Sequence, residues 1–142
     1  MAFFTDVMTV YNYRQDADGE HWARSVIRGV QWRHGKRRVS ADKGVFSNEP
    51  EESVTVDFRR DYAGNPVYLP PEEYRKAEKK DGCWTLDPAD GTDVIICGEI
   101  LREVGKDYSI SQLKRDYAGF TVVSVADNRN RSRLKHIRVV AE

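Results

Sequence analysis

The sequence predicts a mainly β protein, a small antiparallel β-barrel or sandwich of about six strands with two short helices. Its length of 142 residues fits a single domain spanning residues 1–142. Short runs rich in β-branched and aromatic residues recur along the chain, which is typical of strands. Polar or glycine-containing turns separate many of these runs. A long loop, Arg33–Glu52, is expected between the second and third strands.

Six segments carry the strand pattern. Val54, Val56 and Phe58 alternate with polar residues. Val94–Cys97 is instead a continuous apolar run, which is typical of a buried strand. Gly29 interrupts the second segment and indicates a bulge or bend. The polar turn Ala126–Ser132 joins the last two segments, which predicts a terminal hairpin. In chain order the predicted strands are Asp6–Tyr13, Trp22–Trp32, Ser53–Phe58, Val94–Cys97, Phe120–Val125 and Leu134–Val140.

Two short helices are expected between the strands. Pro70–Lys80 begins with proline, carries acidic residues early and lysines late, and is followed by Gly82. Ser109–Tyr117 opens with a capping-box pattern, because Gln112 follows Ser109 by three residues. The helices are expected to pack on the rim of the barrel.

The motif RDYAG occurs twice, at Arg60–Gly64 and at Arg115–Gly119. The flanking residues differ, since Asn65–Pro66 follows the first copy and Phe120–Thr121 the second. We interpret the two copies as similar turns rather than as an internal duplication.

Charge is balanced overall but is not evenly distributed. The chain has 23 basic and 23 acidic residues, which argues against a protein that binds nucleic acid through its total charge. Acidic residues Glu49, Glu51 and Glu52 close the long loop. The loop is either a solvated connection or a DNA- or channel-facing element whose basic side chains contact phosphate without reading sequence. Its candidate residues are Arg33, Lys36, Arg37, Arg38 and Lys43, and a second basic cluster comprises Arg129, Arg131, Arg133 and Lys135.

No residue pattern points to catalysis, a cofactor or a metal. The chain has no nucleotide-binding or hydrolase motif, and His21, His34 and His136 are scattered. We therefore expect no enzyme activity and no cofactor. Cys83 and Cys97 are expected to be reduced thiols, with Cys97 buried.

The acidic segment, the tryptophans, the apolar run and the N-terminus each have a structural interpretation that implies no special function. The acidic residues around Pro88–Gly91 fit turn chemistry better than a calcium loop, and the three tryptophans are expected in the core. The longest apolar run is too short to span a membrane, and Met1–Val10 lacks the basic residues of a secretory signal.

The order and spacing of several segments resemble a family of small prophage-encoded proteins of Gram-positive bacteria. The resemblance covers nearly the whole chain. Members usually have Tyr-Gly after the tryptophan that Trp32 matches, whereas Arg33–Gly35 stand here, so the charge of the loop is not carried over. The matching segments are TVYN at Thr9–Asn12, SVIRGVQW at Ser25–Trp32, VSADKGVFS at Val39–Ser47, YLPPEEY at Tyr68–Tyr74, GCWTL at Gly82–Leu86, TDVIICGEI at Thr92–Ile100 and VVSVADNRNRSRLKHIRVV at Val122–Val140.

Members of this family are similar to phage minor capsid or head–tail joining proteins, whose better-known relatives are stopper, or head-completion, proteins. The resemblance implies a ring subunit in the neck of the virion, assembled in the host cytoplasm. Expected partners are other copies of the chain in a six- or twelve-fold ring, an adaptor or portal-side ring, and a tail terminator or tail-tube protein. A loop between the second and third strands of stoppers projects into the channel and helps retain packaged DNA. The alternatives are a tail terminator, which is an α+β protein, and a small-barrel module that binds nucleic acid non-specifically.

Overall fold

Six antiparallel strands form the body of the protein. The computed structural model describes residues 4–17, 19–40, 46–60, 62–77, 82–89, 92–130, 133 and 135–142, and of residues 16, 36–40 and 46–50 it describes the backbone alone. The barrel strands are β1 (Asp6–Asp16), β2 (Gly19–Ser40), β3 (Phe46–Asp57), β6 (Val94–Cys97), β7 (Phe120–Asp127) and β8 (His136–Ala141). The remaining elements are β4 (Val67–Tyr68), α1 (Pro71–Lys76), β5 (Cys83–Trp84) and α2 (Ile110–Tyr117).

The strands pair in the circular order β1-β2-β3-β8-β7-β6, and β6 returns to β1. The β6–β7 pairing is short, with Val94 opposite Thr121 and Ile95 opposite Phe120. β7 and β8 are antiparallel neighbours, which confirms the predicted terminal hairpin. The structure thus confirms the mainly β fold class, with two short helices and a small barrel as its body.

The core fills the interior of the barrel. Alternate residues of the strands point inward, as the pleat of a strand requires. Val54 and Val56 of β3 are buried, and so are Ile137 and Val139 of the neighbouring β8. Trp84 and Trp32 are also buried, which confirms their predicted place in the core, whereas Trp22 is only half-buried and packs against a second cluster that includes Tyr11.

A second apolar cluster lies on the outside of β1 and β6. Leu113 of α2 packs there against Tyr11 and Ile96, and all three side chains are buried. The Tyr11 hydroxyl donates to the Arg102 carbonyl at 2.6 Å, and burial raises the pKa of Tyr11 to about 12. This helix begins at a capping box, as predicted, with the Gln112 amide donating to the Ser109 hydroxyl and the Ser109 amide donating to the Gln112 side chain.

Gly29 forms the predicted bulge in β2. The β1–β2 register passes from Asp6 opposite Val30 to Val7 opposite Arg28, so that Gly29 has no partner in β1. Its φ of +82° lies in the left-handed region that favours glycine. A Cβ at this position would collide with the Tyr62 ring. The glycine therefore meets both a backbone and a packing requirement.

The prediction that Arg33–Glu52 forms an irregular loop was wrong. β2 continues to Ser40 and β3 begins at Phe46, and the two strands pair from Arg33 opposite Ser53 to Ser40 opposite Phe46. Residues 41–45, which include Lys43, lie outside the described part of the chain. Sequence reasoning ended β2 at Trp32 because apolar alternation stops there, but backbone hydrogen bonding between strands does not need apolar side chains.

Three smaller predictions also differ from the structure. Cys97 ends β6 and is exposed rather than buried, because the burial of that strand, inside the barrel at Ile95 and against the second apolar cluster at Ile96, stops at Ile96. The first helix is shorter than predicted: it ends at Lys76, Ala77 is extended, and residues 78–80 lie outside the described part. β4 and β5, which form a two-stranded parallel pair, were not predicted. Each contributes two residues, too few for a sequence pattern.

Candidate functional site

The most prominent feature is a two-stranded projection, which we call the β2–β3 arm (residues 33–40 and 46–51). β1 pairs with β2 no further than Val30, and β8 pairs with β3 no further than Glu52. Beyond these points β2 and β3 pair with each other. Eight residues of extended chain at about 3.3 Å each give the arm a length of about 26 Å.

The arm contains most of the predicted DNA- or channel-facing residues. Arg33 is exposed at its start, and Lys36, Arg37 and Arg38 lie along β2. The register places Arg37 opposite Glu49 and Gly35 opposite Glu51. The strand that carries basic residues therefore runs beside a strand that carries acidic ones, so the arm is not a uniformly basic surface.

The root of the arm is fixed to the barrel by polar contacts. Glu52 is 5% exposed, and its Oε1 lies 2.5 Å from Nδ1 of His34, the residue opposite it in the register. The backbone amide of Trp32 donates to Asp6 Oδ2 at 3.0 Å, where β1 begins. The first contact joins the two strands to each other at the root of the arm, and the second ties β2 to β1 there.

The second basic cluster lies at the other end of the barrel. β3 runs beside β8 from Glu52 opposite Ala141 to Asp57 opposite His136, so the arm and the β7–β8 turn flank opposite ends of β3. Arg133 and Lys135 are exposed there, and Arg131 lies outside the described part. The structure therefore does not bring the two predicted basic clusters together.

Arg129 is held in one orientation by its neighbours. Its Nε and Nη2 donate to Asp127, with the shortest distance 2.8 Å, and its guanidinium lies 4.7 Å from the centre of the Tyr68 ring. The hydrogen bond from Arg129 holds the pKa of the Asp127 carboxyl below its usual range. Arg129 is thus fixed by an ion pair and by an aromatic ring, which is typical of arginine at interfaces.

Beside Arg129 lies a cleft of about 400 Å³, which we call the barrel-end groove. Ile27 and Trp84 contribute buried apolar surface to its lining. The rings of Tyr62 and Tyr68 also line it, and Arg60 and Arg129 supply its positive charge. Within the groove the Tyr68 ring packs edge-to-face on Trp84, with ring centres 4.9 Å apart.

The segment after β3 holds the groove in shape. The Asn65 side chain accepts from the Arg28 amide at 2.8 Å and donates to the Arg28 carbonyl at 2.9 Å. The Tyr62 hydroxyl donates to Asp57 Oδ2 at 2.7 Å, while the Tyr62 ring covers Gly29. Burial alone would raise the pKa of Asp57, but the hydrogen bonds from Arg59 and Tyr62 outweigh it and lower that pKa.

A buried polar network joins β1 to the segment before β6. The Tyr13 amide donates to Asp93 Oδ1 at 2.8 Å, and Oδ2 accepts from the Asn12 side chain at 3.1 Å and from the Asp87 amide at 2.9 Å. Asp93 is 2% exposed, and burial raises its pKa to about 6 despite these hydrogen bonds. With every oxygen occupied, the carboxylate acts as a structural acceptor.

Sequence reasoning identified Arg129 but missed the groove around it. The groove combines residues from β2, from the segment after β3 and from β5, which lie far apart in the chain. Gly29 was the one signal for it, because the bulge creates the space that Tyr62 fills. Among the described residues no cluster of three metal-binding side chains is found, and no helix there is long and apolar enough to cross a membrane.

Fold and surface define the chain as a small antiparallel β-barrel protein with a projecting hairpin arm and a groove at the opposite end. By sequence it belongs to a family of unknown function, DUF6751, whose model matches residues 3–142. Neither a curated protein nor a solved structure matches the chain. The family carries no functional description, so the resemblance to head–tail joining proteins stays a prediction.

Proposed function

We propose that the protein is a structural subunit of a phage head–tail connector ring, with the role of a stopper. The observation that supports this proposal most is the β2–β3 arm. Stopper-like proteins are expected to be small barrels with a projecting element between the second and third strands, and this chain has a barrel with an arm at that connection.

In this proposal the barrel is the body of the ring and the arm reaches beyond it. A ring of identical subunits needs a heterologous contact, in which one face of each copy meets a different face of the next. Because most strands of the barrel are paired on both sides, such contacts fall mainly to side chains and to the arm. The partners are further copies in a six- or twelve-fold ring, an adaptor or portal-side ring, and a tail terminator or tail-tube protein. The location is the neck of the virion.

Contact between the arm and packaged DNA is proposed as non-specific. Lysine and arginine contact phosphate without reading sequence. Because acidic residues lie on the returning strand, the arm is proposed to retain DNA mainly by obstructing the channel, with Arg33 and Lys36–Arg38 adding attraction to phosphate.

The alternatives are less well supported. A tail terminator is an α+β protein with helices packed on a sheet, whereas the helices here span six and eight residues beside a six-stranded barrel. A nucleic-acid-binding module needs aromatic rings on an open strand face. Trp32 and Trp84 are instead buried in the core, and the half-buried Trp22 packs edge-to-face with Tyr13.

Assembly distinguishes these functions. We expect the purified protein to be monomeric and to form rings of six or twelve copies on its adaptor ring, which mass photometry measures directly. Micromolar binding of single-stranded DNA with a steep salt dependence and without assembly would instead support the nucleic-acid module.

A further inference from the structure

The barrel-end groove has no part in the function proposed for the arm. It flanks Asp57 at the C-terminal end of β3, whereas the arm leaves the N-terminal end of the barrel portion of that strand. The groove cannot therefore belong to the surface that the arm forms. Its chemistry has to be considered separately.

The groove is preformed rather than dependent on a ligand. Asn65 bonds both backbone groups of Arg28, and Tyr62 is held by Asp57 and by the surface of Gly29. A site held in this way loses little conformational entropy when it binds, which favours affinity.

Some charged residues at the groove have partners of opposite charge and one does not. Two described carboxylates beside the groove are occupied, since Asp57 accepts from Arg59 and Tyr62, and Asp127 accepts from Arg129. Arg60 is exposed and forms no ion pair with any described residue. Of the described charged residues that line the groove, Arg60 is therefore the one without a charged partner.

Apolar surface accompanies this charge. Val67 lines the groove and is 63% exposed, beside the buried Ile27 and Trp84. The Tyr68 ring is 8% exposed and packs on Trp84 and Phe58, so it offers no open face on which a nucleobase can stack. The combination suits an apolar side chain rather than a base.

We propose that the barrel-end groove binds an extended segment of a partner protein in which an apolar side chain is flanked by acidic residues. The apolar side chain lies against the exposed Val67, and a flanking carboxylate pairs with Arg60. With the proposed connector role, the partner is the neighbouring protein of the neck. This identification of the partner rests on the proposed function. Binding itself does not depend on the connector role.

The test is a titration of the full-length protein with fluorescein-labelled peptides. The probe is Gly-Glu-Asp-Leu-Pro-Glu-Glu-Gly, and the comparison peptides replace leucine with serine or the acidic residues with lysine. We expect the acidic leucine peptide to bind at least about tenfold more tightly than either comparison peptide, a difference of about 1.4 kcal/mol. Equal binding of all three peptides, or no binding, would overturn the proposal.

Variants locate the binding to the groove. Arg60→Glu and Val67→Asp are each expected to weaken binding of the acidic leucine peptide about tenfold. Arg115→Glu is the matched control, since Arg115 is also exposed and heads the second RDYAG segment, which begins in the last turn of α2. Thermal melts check that each variant is folded.

Two results of the variant series count against the proposal: an equal effect of Arg60→Glu and Arg115→Glu, and no effect of either groove variant. Neither bears on ring assembly, which mass photometry measures independently.

Discussion

At the scale of single residues, the barrel depends on positions where neither size nor charge can change freely. Gly29 has a positive φ and lies under the Tyr62 ring, so it combines two constraints in one residue. Asp93 has a different role, because its buried carboxylate accepts from three donors that join β1 to the segment before β6. Both residues can be tested by conservative substitutions.

Gly29→Ala is expected to destabilise the protein by about 2–3 kcal/mol. About 1 kcal/mol comes from a positive φ in a residue with a Cβ, and the remainder from displacement of Tyr62 and loss of its hydrogen bond to Asp57. Gly64→Ala is the control, because Gly64 has a φ of +85° and open space around it. Chemical denaturation measures both. Equal losses of stability would show that the contact with Tyr62 contributes nothing.

Asp93 is expected to make stability fall as pH rises from about 4 to about 6. Burial raises the folded-state pKa to about 6, above the value near 3.9 in an unfolded chain, so the folded state binds more protons in that window. Ionising the buried carboxylate then costs on the order of 3 kcal/mol. The lowered pKa values of Asp57 and Asp127 act oppositely, and their contribution is lost at lower pH.

The variant Asp93→Asn separates this effect from the others. Its amide places a donor where three donors already converge, so we expect a loss of about 1–3 kcal/mol. The difference in unfolding free energy between wild type and variant, measured by urea denaturation from pH 4 to 7, is expected to shrink as pH rises. A difference that stays constant with pH would contradict the assignment.

At the scale of elements, the arm is the feature that departs most from a minimal barrel. It is a two-stranded ribbon, and such ribbons are marginally stable in water when they pack against nothing else. Its root is nevertheless fixed by the His34–Glu52 contact and by the bond from Trp32 to Asp6. We therefore expect the barrel to remain stable when the arm is shortened, and the proposed function to be lost.

Shortening the arm tests this separation. Replacing residues 36–50 with Asn-Gly joins Gly35 to Glu51, a directly opposed pair, through a two-residue turn. We expect the melting temperature to change by no more than about 4 °C, because no core side chain is removed. Particles assembled with this variant are expected to leak DNA.

A second variant separates the arm's length from its charge. Replacing Lys36, Arg37 and Arg38 with glutamine removes the charge and keeps the arm. Particles assembled with this variant are expected to leak less DNA than particles with the shortened chain, because the arm still obstructs the channel. A fall in melting temperature of more than about 10 °C on shortening would show that the arm is an integral part of the fold.

Sequence patterns predicted the elements whose stability is local or periodic. The bounds of β6 were predicted as observed, and the capping box at Ser109 and the bulge at Gly29 are local signals that the structure confirms. The arm was missed because its strands lack apolar alternation and are stabilised by each other. The groove was missed because it depends on contacts between Arg28 and Asn65 and between Gly29 and Tyr62, which are distant in the chain.

At the scale of the whole molecule, balanced charge accompanies an unequal distribution of surfaces. The chain has 23 basic and 23 acidic residues, yet the groove with its basic surroundings and the arm with its mixed strands lie at opposite ends of the barrel. A subunit with different chemistry at its two ends suits assembly between different neighbours, as the proposed connector requires.

The central claim is that this chain is a component of the phage neck. Quantitative mass spectrometry of purified particles, from a strain that carries the gene, tests it most directly by measuring copies of this chain relative to the portal protein. A connector ring predicts a fixed six or twelve copies per particle. Absence from purified particles, with the protein present only in the surrounding lysate, would contradict the claim.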